Sequence, residues 1–274
     1  HFRGRGIPVV LGGPHITLIP EDAQPHADAV VVGYAEDTWP RLLRDFAAGA
    51  LQPRYDQALG LSLANRPFPK REMMKRQHYL TTHVFEATRG CIHSCDFCVV
   101  PTAWGLTPYL KPVEDVIADI KGHWGSRIIF IDLNLIADKE YAAKLFEALI
   151  PLNVNWFGLS TTLLGKDIPL LELAARSGCT GLLMGFESIT PENLKRSLKG
   201  FNSPDHYKEL TTLLHKYGIT LMACFTFGMD NDTPDIFMQT ANFAIDAGID
   251  LPRFAIVTPF PNTGLYKRLE SDNR

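Results

Sequence analysis

The sequence predicts an α/β fold built on a mostly parallel sheet. From residue 84 onward, short runs rich in β-branched and aromatic residues begin 26 to 44 residues apart, which leaves room for a loop, a helix and a return between strands. The 191 residues after residue 83 are too few for an eight-unit barrel, which needs roughly 250. A partial, TIM-like (βα)6 barrel is therefore favoured over an open doubly wound sheet. The six predicted strands are Val84–Thr88, Ile128–Leu133, Asn155–Ser160, Gly181–Phe186, Ile219–Phe227 and Arg253–Thr258.

The segments between these strands carry helix-start and helix-stop signals. A capping side chain stands one or two residues before a proline at Asp167, Ser203 and Thr233, and proline is tolerated in the first helical turn. Glycines able to adopt positive φ after a helix precede the next strand at Gly178, Gly218 and Gly248. These signals support strands that alternate with helices.

The first 83 residues have a different organisation. Two strands are predicted at Pro8–Leu11 and Ala29–Val32, followed by a helix over about 38–48 with Leu42, Leu43 and Phe46 on one face. Residues 1–50 cannot close a core alone, so we interpret them as the C-terminal part of a doubly wound domain, with an unpaired strand edge. Residues 51–83 are predicted to be a basic, solvated linker, and residues 84–274 to form the barrel.

Composition excludes several classes of protein. The net charge of −3 gives no reason to expect nucleic acid or an anionic membrane as a partner. No apolar run approaches the ~20 residues of a membrane span, and no signal peptide is visible. Of five cysteines, three are clustered, which indicates a reducing compartment and hence a cytoplasmic protein. The other two, Cys179 and Cys224, have apolar neighbours and are predicted to be core residues.

The clustered cysteines are the strongest functional signal. Cys91, Cys95 and Cys98 have the spacing Cys-x3-Cys-x2-Cys and directly follow the first barrel strand. A four-iron cluster normally takes four cysteines, so three would leave one iron open to a substrate or cofactor. Zinc bound by the three cysteines and His93 is the alternative. Chemistry in parallel α/β folds gathers at the carboxyl ends of strands, where this loop lies.

The chain resembles the cobalamin-dependent radical S-adenosylmethionine (SAM) enzymes, most closely the branch that contains the hopanoid C-2 methylase. Besides the cysteine motif, the resemblance runs through segments that follow the predicted strands. These segments are Val9–His15, Val31–Glu36, Phe130–Asn134, Gly185–Ser188, Phe225–Asp230 and Thr258–Thr263. The resemblance implies a radical SAM partial barrel preceded by the end of a cobalamin-binding domain.

The resemblance also implies roles for individual residues. The three cysteines would bind three irons of a [4Fe-4S] cluster, and SAM would fill the position on the fourth iron. Asp132 would contact SAM or substrate, with a helix cap or an ion pair as alternatives, and Glu187 would lie near the SAM ribose or amino group. Phe97 and Gly228 would lie near the SAM adenine, and Ser160, Thr161 and Ser188 are weaker candidates for SAM contacts. Gly12 and Gly13 would serve cobalamin, and no catalytic residue is assigned.

Three positions depart from the family pattern, and one family motif is not seen. Tyr34 stands in a segment that usually reads Gly-Glu-Gly/Ala-Glu, Asn262 replaces a glycine, and Lys111 lies where an arginine is common. The motif that ligates cobalt lies earlier in the family than residue 1. The 274-residue chain is therefore expected to bind cobalamin weakly or not at all, and still to bind its cluster and SAM through residues 84 onward.

The activity implied by the resemblance is cleavage of SAM to a 5'-deoxyadenosyl radical, followed by cobalamin-dependent methylation of an unactivated carbon. A non-methylating rearrangement or cyclisation is the alternative, and a non-catalytic iron–sulfur or zinc protein is a remote one. The expected partners are a small-molecule or lipid substrate and an electron donor such as ferredoxin or flavodoxin.

Overall fold

A computed structural model describes residues 1–58, 60–123, 125 and 127–274. The chain forms two compact units. The first unit comprises residues 1–62, 97–106 and 259–274, and the second comprises residues 63–96 and 107–258. This division differs from the predicted boundaries, because a strand lies inside the predicted linker and the segment that follows Asp96 belongs to the first unit.

The helices and strands alternate along the chain, with short 3-10 turns between some of them. The strands are β1 (Val10–Leu11), β2 (Ala29–Val32), β3 (Arg54–Asp56), β4 (Val84–Phe85), β5 (Thr88–Arg89), β6 (Tyr109–Leu110), β7 (Arg127–Phe130), β8 (Asn155–Ser160), β9 (Cys179–Glu187), β10 (Thr220–Phe227) and β11 (Leu251–Ile256). The α-helices are α1 (Pro14–Leu18), α2 (Pro20–Ala23), α3 (Thr38–Ala47), α4 (Val99–Trp104), α5 (Val113–Gly122), α6 (Lys139–Leu149), α7 (Ile168–Arg176), α8 (Pro191–Arg196), α9 (Tyr207–Lys216), α10 (Ile236–Asp246) and α11 (Gly264–Ser271).

The first unit contains a parallel three-stranded sheet in the order β1-β2-β3. The central strand β2 is paired on both sides and is buried through Val30 and Val31, so the unpaired edge expected at this strand is wrong, whereas β1 lies at the edge of the sheet as expected. The prediction failed because β3 lies in the segment taken for linker, where Tyr55 alone supplies the buried side chain. The predicted buried face of α3 is only partly correct, since Leu42 is buried while Leu43 and Phe46 are about half exposed.

The second unit contains the predicted six-stranded parallel sheet, in the order β11-β10-β9-β8-β7-β4. The prediction of six parallel strands is therefore confirmed. A short antiparallel pair, β5 with β6, was not predicted and brackets the cysteine segment in the sequence. The strand order places neighbours in the chain beside one another, as expected for successive βα units.

One face of the six-stranded sheet packs on the helices. Alternate strand residues, such as Phe130, Trp156, Met184 and Phe225, join helix side chains in one continuous core. Because the helices of this core cover a single face, the arrangement fits the partial barrel rather than a sheet wound on both sides.

The helix signals are borne out unevenly. Asp167 caps α7 by accepting a hydrogen bond from the Leu170 amide, as predicted. Ser203 precedes only a 3-10 turn, and α10 begins after Asp235 rather than after Thr233. Gly178 has a φ of 96°, and a β-carbon there would lie 1.9 Å from the Val154 carbonyl oxygen, so the turn into β9 requires glycine.

The segment before the barrel is not simply solvated. Arg71 is buried, and its guanidinium donates to both carboxylate oxygens of Asp119 on α5 at 2.7 and 3.0 Å. It also donates to the Val84 carbonyl at 2.7 Å and lies 4.4 Å from the centre of the Phe85 ring. Residues 63–83 are therefore held against the first barrel strand. Within the described part of the chain, every helix is too short or too polar to cross a membrane.

Candidate active site at the carboxyl ends of the strands

The cysteine loop follows β5, the short strand that comes two residues after the first barrel strand, β4. Gly90 has a φ of 93° and opens the loop after β5. Cys91, Cys95 and Cys98 are half-buried thiols. Thiolates are the ligands that iron–sulfur clusters require, so the donor set fits the predicted cluster.

A single-ion site is not preformed in the described residues. No three His, Cys, Asp or Glu side chains of this part of the chain converge on the position of one metal ion. A four-iron cluster does not require such a group, because each thiolate binds a different iron. His93, the fourth ligand of the zinc alternative, instead stacks on Phe201 with ring centroids 4.3 Å apart.

Asp132 supports the backbone that leads into the cysteine loop. Its carboxylate is 1% exposed and accepts hydrogen bonds from the amides of Ala87 and Thr88. Burial raises the pKa of this carboxyl to about 6, although the two amides act in the opposite direction. Neither a helix cap nor an ion pair is the role seen. A contact to SAM or substrate stays a prediction.

Glu187 ends β9 in an unusual backbone conformation and is paired with a buried cation. Its φ is 65°, which is uncommon for a residue other than glycine and is often seen at functional sites. Its carboxylate forms an ion pair with Lys199 and accepts a hydrogen bond from the Thr226 hydroxyl at 3.0 Å. The pair lies over Gly185, where a β-carbon would come within 2.1 Å of the carboxylate and 2.5 Å of the ammonium.

Lys199 is a site residue that the sequence did not reveal. It lies 12 residues after Glu187, in a segment with no strand or helix periodicity. The sequence indicated such a partner only indirectly. Glu187 ends an apolar strand, and burying a carboxylate there is costly unless a counter-charge accompanies it.

The remaining predicted SAM contacts lie near the same edge of the second unit. Ser160 donates to the Thr161 carbonyl at 3.3 Å, and the Ser188 hydroxyl accepts a hydrogen bond from the Thr190 amide at 3.0 Å. Gly228 has a φ of 88° and donates its amide to Asp232 at 2.8 Å. These bonds are local, so a role in SAM binding remains a prediction for each.

Four buried polar atoms of this region have no hydrogen-bond partner among the described residues. They are Thr88 Oγ1, His93 Nε2, Asn134 Oδ1 and Thr161 Oγ1. Asn134 follows β7 and Thr161 follows β8, so both lie just beyond the carboxyl ends of neighbouring strands. An unsatisfied buried polar group costs about 1–3 kcal/mol, which a bound polar ligand would recover. Asn134 belongs to a motif that the sequence singled out, but it was not assigned a role.

The first unit places the residues predicted to serve cobalamin in a turn. Gly13 has a φ of 101° and precedes α1, and a β-carbon at Gly12 would contact the Val31 carbonyl oxygen at 3.5 Å. Tyr34, which departs from the family pattern, stacks on Trp104 with ring centroids 5.5 Å apart. Phe97 is half-buried one residue before α4 begins to form. Nothing in these contacts assigns a ligand to Gly12, Gly13 or Phe97.

Comparison with protein-family models gives a match to the radical SAM superfamily over residues 85–244. This match covers more than half of the chain and includes the cysteine motif and five of the six barrel strands.

Two relatives align with nearly the whole chain. Bacteriochlorophyllide d C-12(1)-methyltransferase of Chlorobaculum tepidum is 29% identical over 279 residues, which cover 98% of this chain and 61% of that protein. The hopanoid C-2 methylase of Rhodopseudomonas palustris is 27% identical over 287 residues, which cover 98% of this chain and 53% of the methylase. The chain thus spans about half to two thirds of these relatives.

Solved structures share the fold at low sequence identity. The radical SAM methyltransferase TsrM from Kitasatospora setae, with cobalamin and a [4Fe-4S] cluster bound, has a TM-score of 0.79 at 18% identity and covers 97% of this chain and 60% of its own. The cobalamin-dependent SAM radical enzyme OxsB has a TM-score of 0.66 at 16% identity and covers 100% of this chain and 44% of its own. At these identities the likeness shows the fold alone.

Proposed function

The chain belongs to the radical SAM superfamily, and we propose that it cleaves SAM at a [4Fe-4S] cluster to methylate an unactivated carbon with the help of cobalamin. The observation that carries the proposal is the three-cysteine loop that follows β5; within it, His93 has a buried ring nitrogen that lacks a hydrogen-bond partner among the described residues. The methyltransferase names of the relatives support methylation over a rearrangement or cyclisation. The anaerobic cyclases among the relatives keep the second possibility open to test.

When bound, the cluster and SAM supply a carbon-centred radical, and cobalamin supplies the methyl group. The protein's share is to hold and orient these groups. Cys91, Cys95 and Cys98 would bind three irons, and Asp132 fixes the strand end from which their loop departs. Glu187 and the unsatisfied Asn134 amide would contact polar groups of SAM, and Gly12 and Gly13 would contact cobalamin. We place the protein in the cytoplasm, where thiols stay reduced and a ferredoxin or flavodoxin could supply electrons.

The first experiment tests the cluster. Anaerobic reconstitution should give about four irons per chain, and Cys95→Ala should abolish the iron–sulfur absorbance. Cys179→Ala is the matched control. Cys179 is a core residue, and burial raises the pKa of its thiol so far that the thiol stays protonated. Stoichiometric zinc with no iron–sulfur absorbance would contradict the proposal.

The second experiment tests the chemistry. The reduced protein should convert SAM to 5'-deoxyadenosine and methionine, measured by chromatography, and Glu187→Gln should weaken SAM binding while the iron content stays unchanged. Product analysis with isotope-labelled SAM then separates the two activities. A labelled methyl group in the product supports methylation, whereas an unlabelled rearranged product supports the alternative.

A further inference from the structure

The face of the six-stranded sheet opposite the helices, here called the inner face, carries the side chains that the helices do not cover. Strand register identifies its members, because residues paired across neighbouring strands point to the same side. Ile129 pairs with Phe157, Leu159 with Leu183, Leu183 with Met222, and Cys224 with both Gly185 and Arg253. The inner face therefore includes Ile129, Phe157, Leu159, Leu183, Gly185, Met222, Cys224, Thr226, Leu251, Arg253 and Ala255.

The part of the inner face formed by β7 and β8 is apolar. Ile131 and Leu133, which continue the alternation beyond β7, are 53% and 45% exposed. Phe157 and Leu159 beside them are half-buried. Exposed apolar side chains on this face favour a ligand with a large apolar surface. Covering them would contribute a binding free energy of about 25 cal/mol for each Å² of apolar surface that is buried.

The opposite part of the inner face is charged. Three charged groups act on Cys224 in this part of the face. Burial and the Glu187 carboxylate raise the pKa of its thiol, whereas Arg253 and Lys199 act to lower it. Glu187 and Lys199 neutralise each other as a buried ion pair. Arg253 forms no ion pair with any residue that the structure describes and is exposed. The Arg253 guanidinium is thus a cation without a counter-charge among the described residues, and it lies halfway along β11.

We propose that the inner face binds a substrate with a large apolar body and one carboxylate, and that Arg253 pairs with this carboxylate. The inference rests on the proposed function, since it treats the inner face as the substrate pocket of that reaction. A planar guanidinium matches a carboxylate by two parallel hydrogen bonds. The apolar residues of β7 and β8 would cover the body of the same molecule, so Arg253 fixes its orientation.

The position of Arg253 favours the substrate over SAM as the source of the carboxylate. β11 and β4 are the two opposite ends of the strand order, and β4 is the strand that leads to the cysteine loop. In the proposed function, the carboxylate of SAM is taken by the open iron at that loop. The cation on β11 is then left for a second anionic group, that of the substrate.

The test uses two fluorescent probes that differ only in charge, 1-pyrenebutyric acid and 1-pyrenebutanol. Each is titrated into the cluster-reconstituted chain in the presence of SAM, and binding is followed by fluorescence anisotropy. The acid should bind about tenfold more tightly than the alcohol, because a hydrogen bond between charged groups is worth more than a neutral one. Arg253→Gln should abolish this preference, and Arg253→Lys should retain part of it.

Arg127→Gln is the matched control, because it removes an exposed arginine at the amino end of β7 and changes the net charge equally. It should leave the preference intact. Equal binding of the two probes, binding of neither, or an unchanged preference in Arg253→Gln would overturn the proposal. So would a loss of SAM affinity in Arg253→Gln with the probe preference retained, since Arg253 would then serve SAM.

SAM cleavage in the same preparations reports on the proposed function separately. If SAM is not cleaved but the acid preference depends on Arg253, the carboxylate site stands and the proposed function fails. If SAM is cleaved and neither probe discriminates, the proposed function stands and the assignment of Arg253 fails.

Discussion

The two edges of the six-stranded sheet, one at the amino ends and one at the carboxyl ends of its strands, differ in how their polar groups are satisfied. At the amino edge, the Arg71 guanidinium is bonded to Asp119 and to the Val84 carbonyl, and it packs on Phe85. At the carboxyl edge, Glu187 has a positive φ, while His93, Asn134 and Thr161 each leave a buried polar atom without a described partner. The amino edge is satisfied within the protein, whereas the carboxyl edge leaves buried polar atoms unsatisfied among the described residues, which is where we propose that the ligands bind.

This difference shows that burial alone does not identify a functional residue. Arg71, Asp132 and Asn134 are all buried polar residues; the Arg71 guanidinium contacts the start of β4, and Asp132 and Asn134 follow β7. The hydrogen-bond partners of Arg71 and Asp132 in the structure are protein groups, so these contacts stabilise the fold. Asn134 keeps an acceptor atom unsatisfied, so its contribution depends on a ligand.

The largest expected effect concerns the amino edge. Arg71→Ala should lower the free energy of unfolding by about 3–5 kcal/mol, because it leaves the Asp119 carboxylate buried without its counter-charge. Urea denaturation measures the loss. The double variant Arg71→Met, Asp119→Leu should recover much of it, since an apolar pair of similar size removes both charges. A loss below about 1 kcal/mol in the single variant would show that Arg71 does not hold this edge together.

The next effect is a pH dependence at Asp132, whose folded-state pKa lies above the value of an unfolded aspartate. Between about pH 4 and pH 6 the native protein then holds the extra proton, so this group lowers stability as pH rises through that window. The shift corresponds to at most about 3 kcal/mol. Denaturation of wild type and Asp132→Asn at pH 4.5 and pH 7 should show the variant gaining relative stability at the higher pH. An identical difference at both values would contradict the raised pKa.

A smaller loss is expected from Gly185→Ala at the carboxyl edge. The added methyl group would occupy the space of the Glu187–Lys199 ion pair, so the pair must separate. We expect about 1–3 kcal/mol of destabilisation and roughly tenfold weaker SAM binding, measured by equilibrium dialysis. Gly122→Ala is the control, because a β-carbon there meets no atom within 4 Å. If both variants bind SAM equally, the Glu187–Lys199 geometry is not needed for SAM binding.

The smallest effect on stability is expected at Asn134, although the burial of this side chain would suggest a large one. Asn134→Ala should change the free energy of unfolding of the SAM-free protein by no more than about 0.5 kcal/mol, because losing an unsatisfied amide offsets the lost packing. Asn193→Ala should cost about 2 kcal/mol. This equally buried asparagine donates to Asp232 at 2.7 Å and accepts from Asn231 at 3.0 Å.

Asn134→Ala should nevertheless weaken SAM binding, as measured by equilibrium dialysis. Equal destabilisation by the Asn134→Ala and Asn193→Ala variants would mean that Asn134 has a structural role like that of Asn193.

Much of the second unit was predictable because its signals are local. The alternation of apolar residues, the proline and glycine positions and the cysteine spacing are each contained in short segments, and they led to six parallel strands with a cysteine loop after the first. The first unit was predicted less well. β3 is only three residues long, with one buried side chain, so its pattern is too short to distinguish from a linker.

Taken alone, the sequence determined the fold class, the six-stranded sheet and the cysteine spacing on which the proposed iron–sulfur site rests. Only the tertiary structure decided which polar groups are satisfied. It paired Arg71 with Asp119 across 48 residues and Glu187 with Lys199 across 12, and it gave the Asp132 carboxylate to the amides of Ala87 and Thr88. Periodicity fixes which way a side chain points along its own element, whereas an ion pair depends on where two elements meet, and that position is set by the packing of the whole unit.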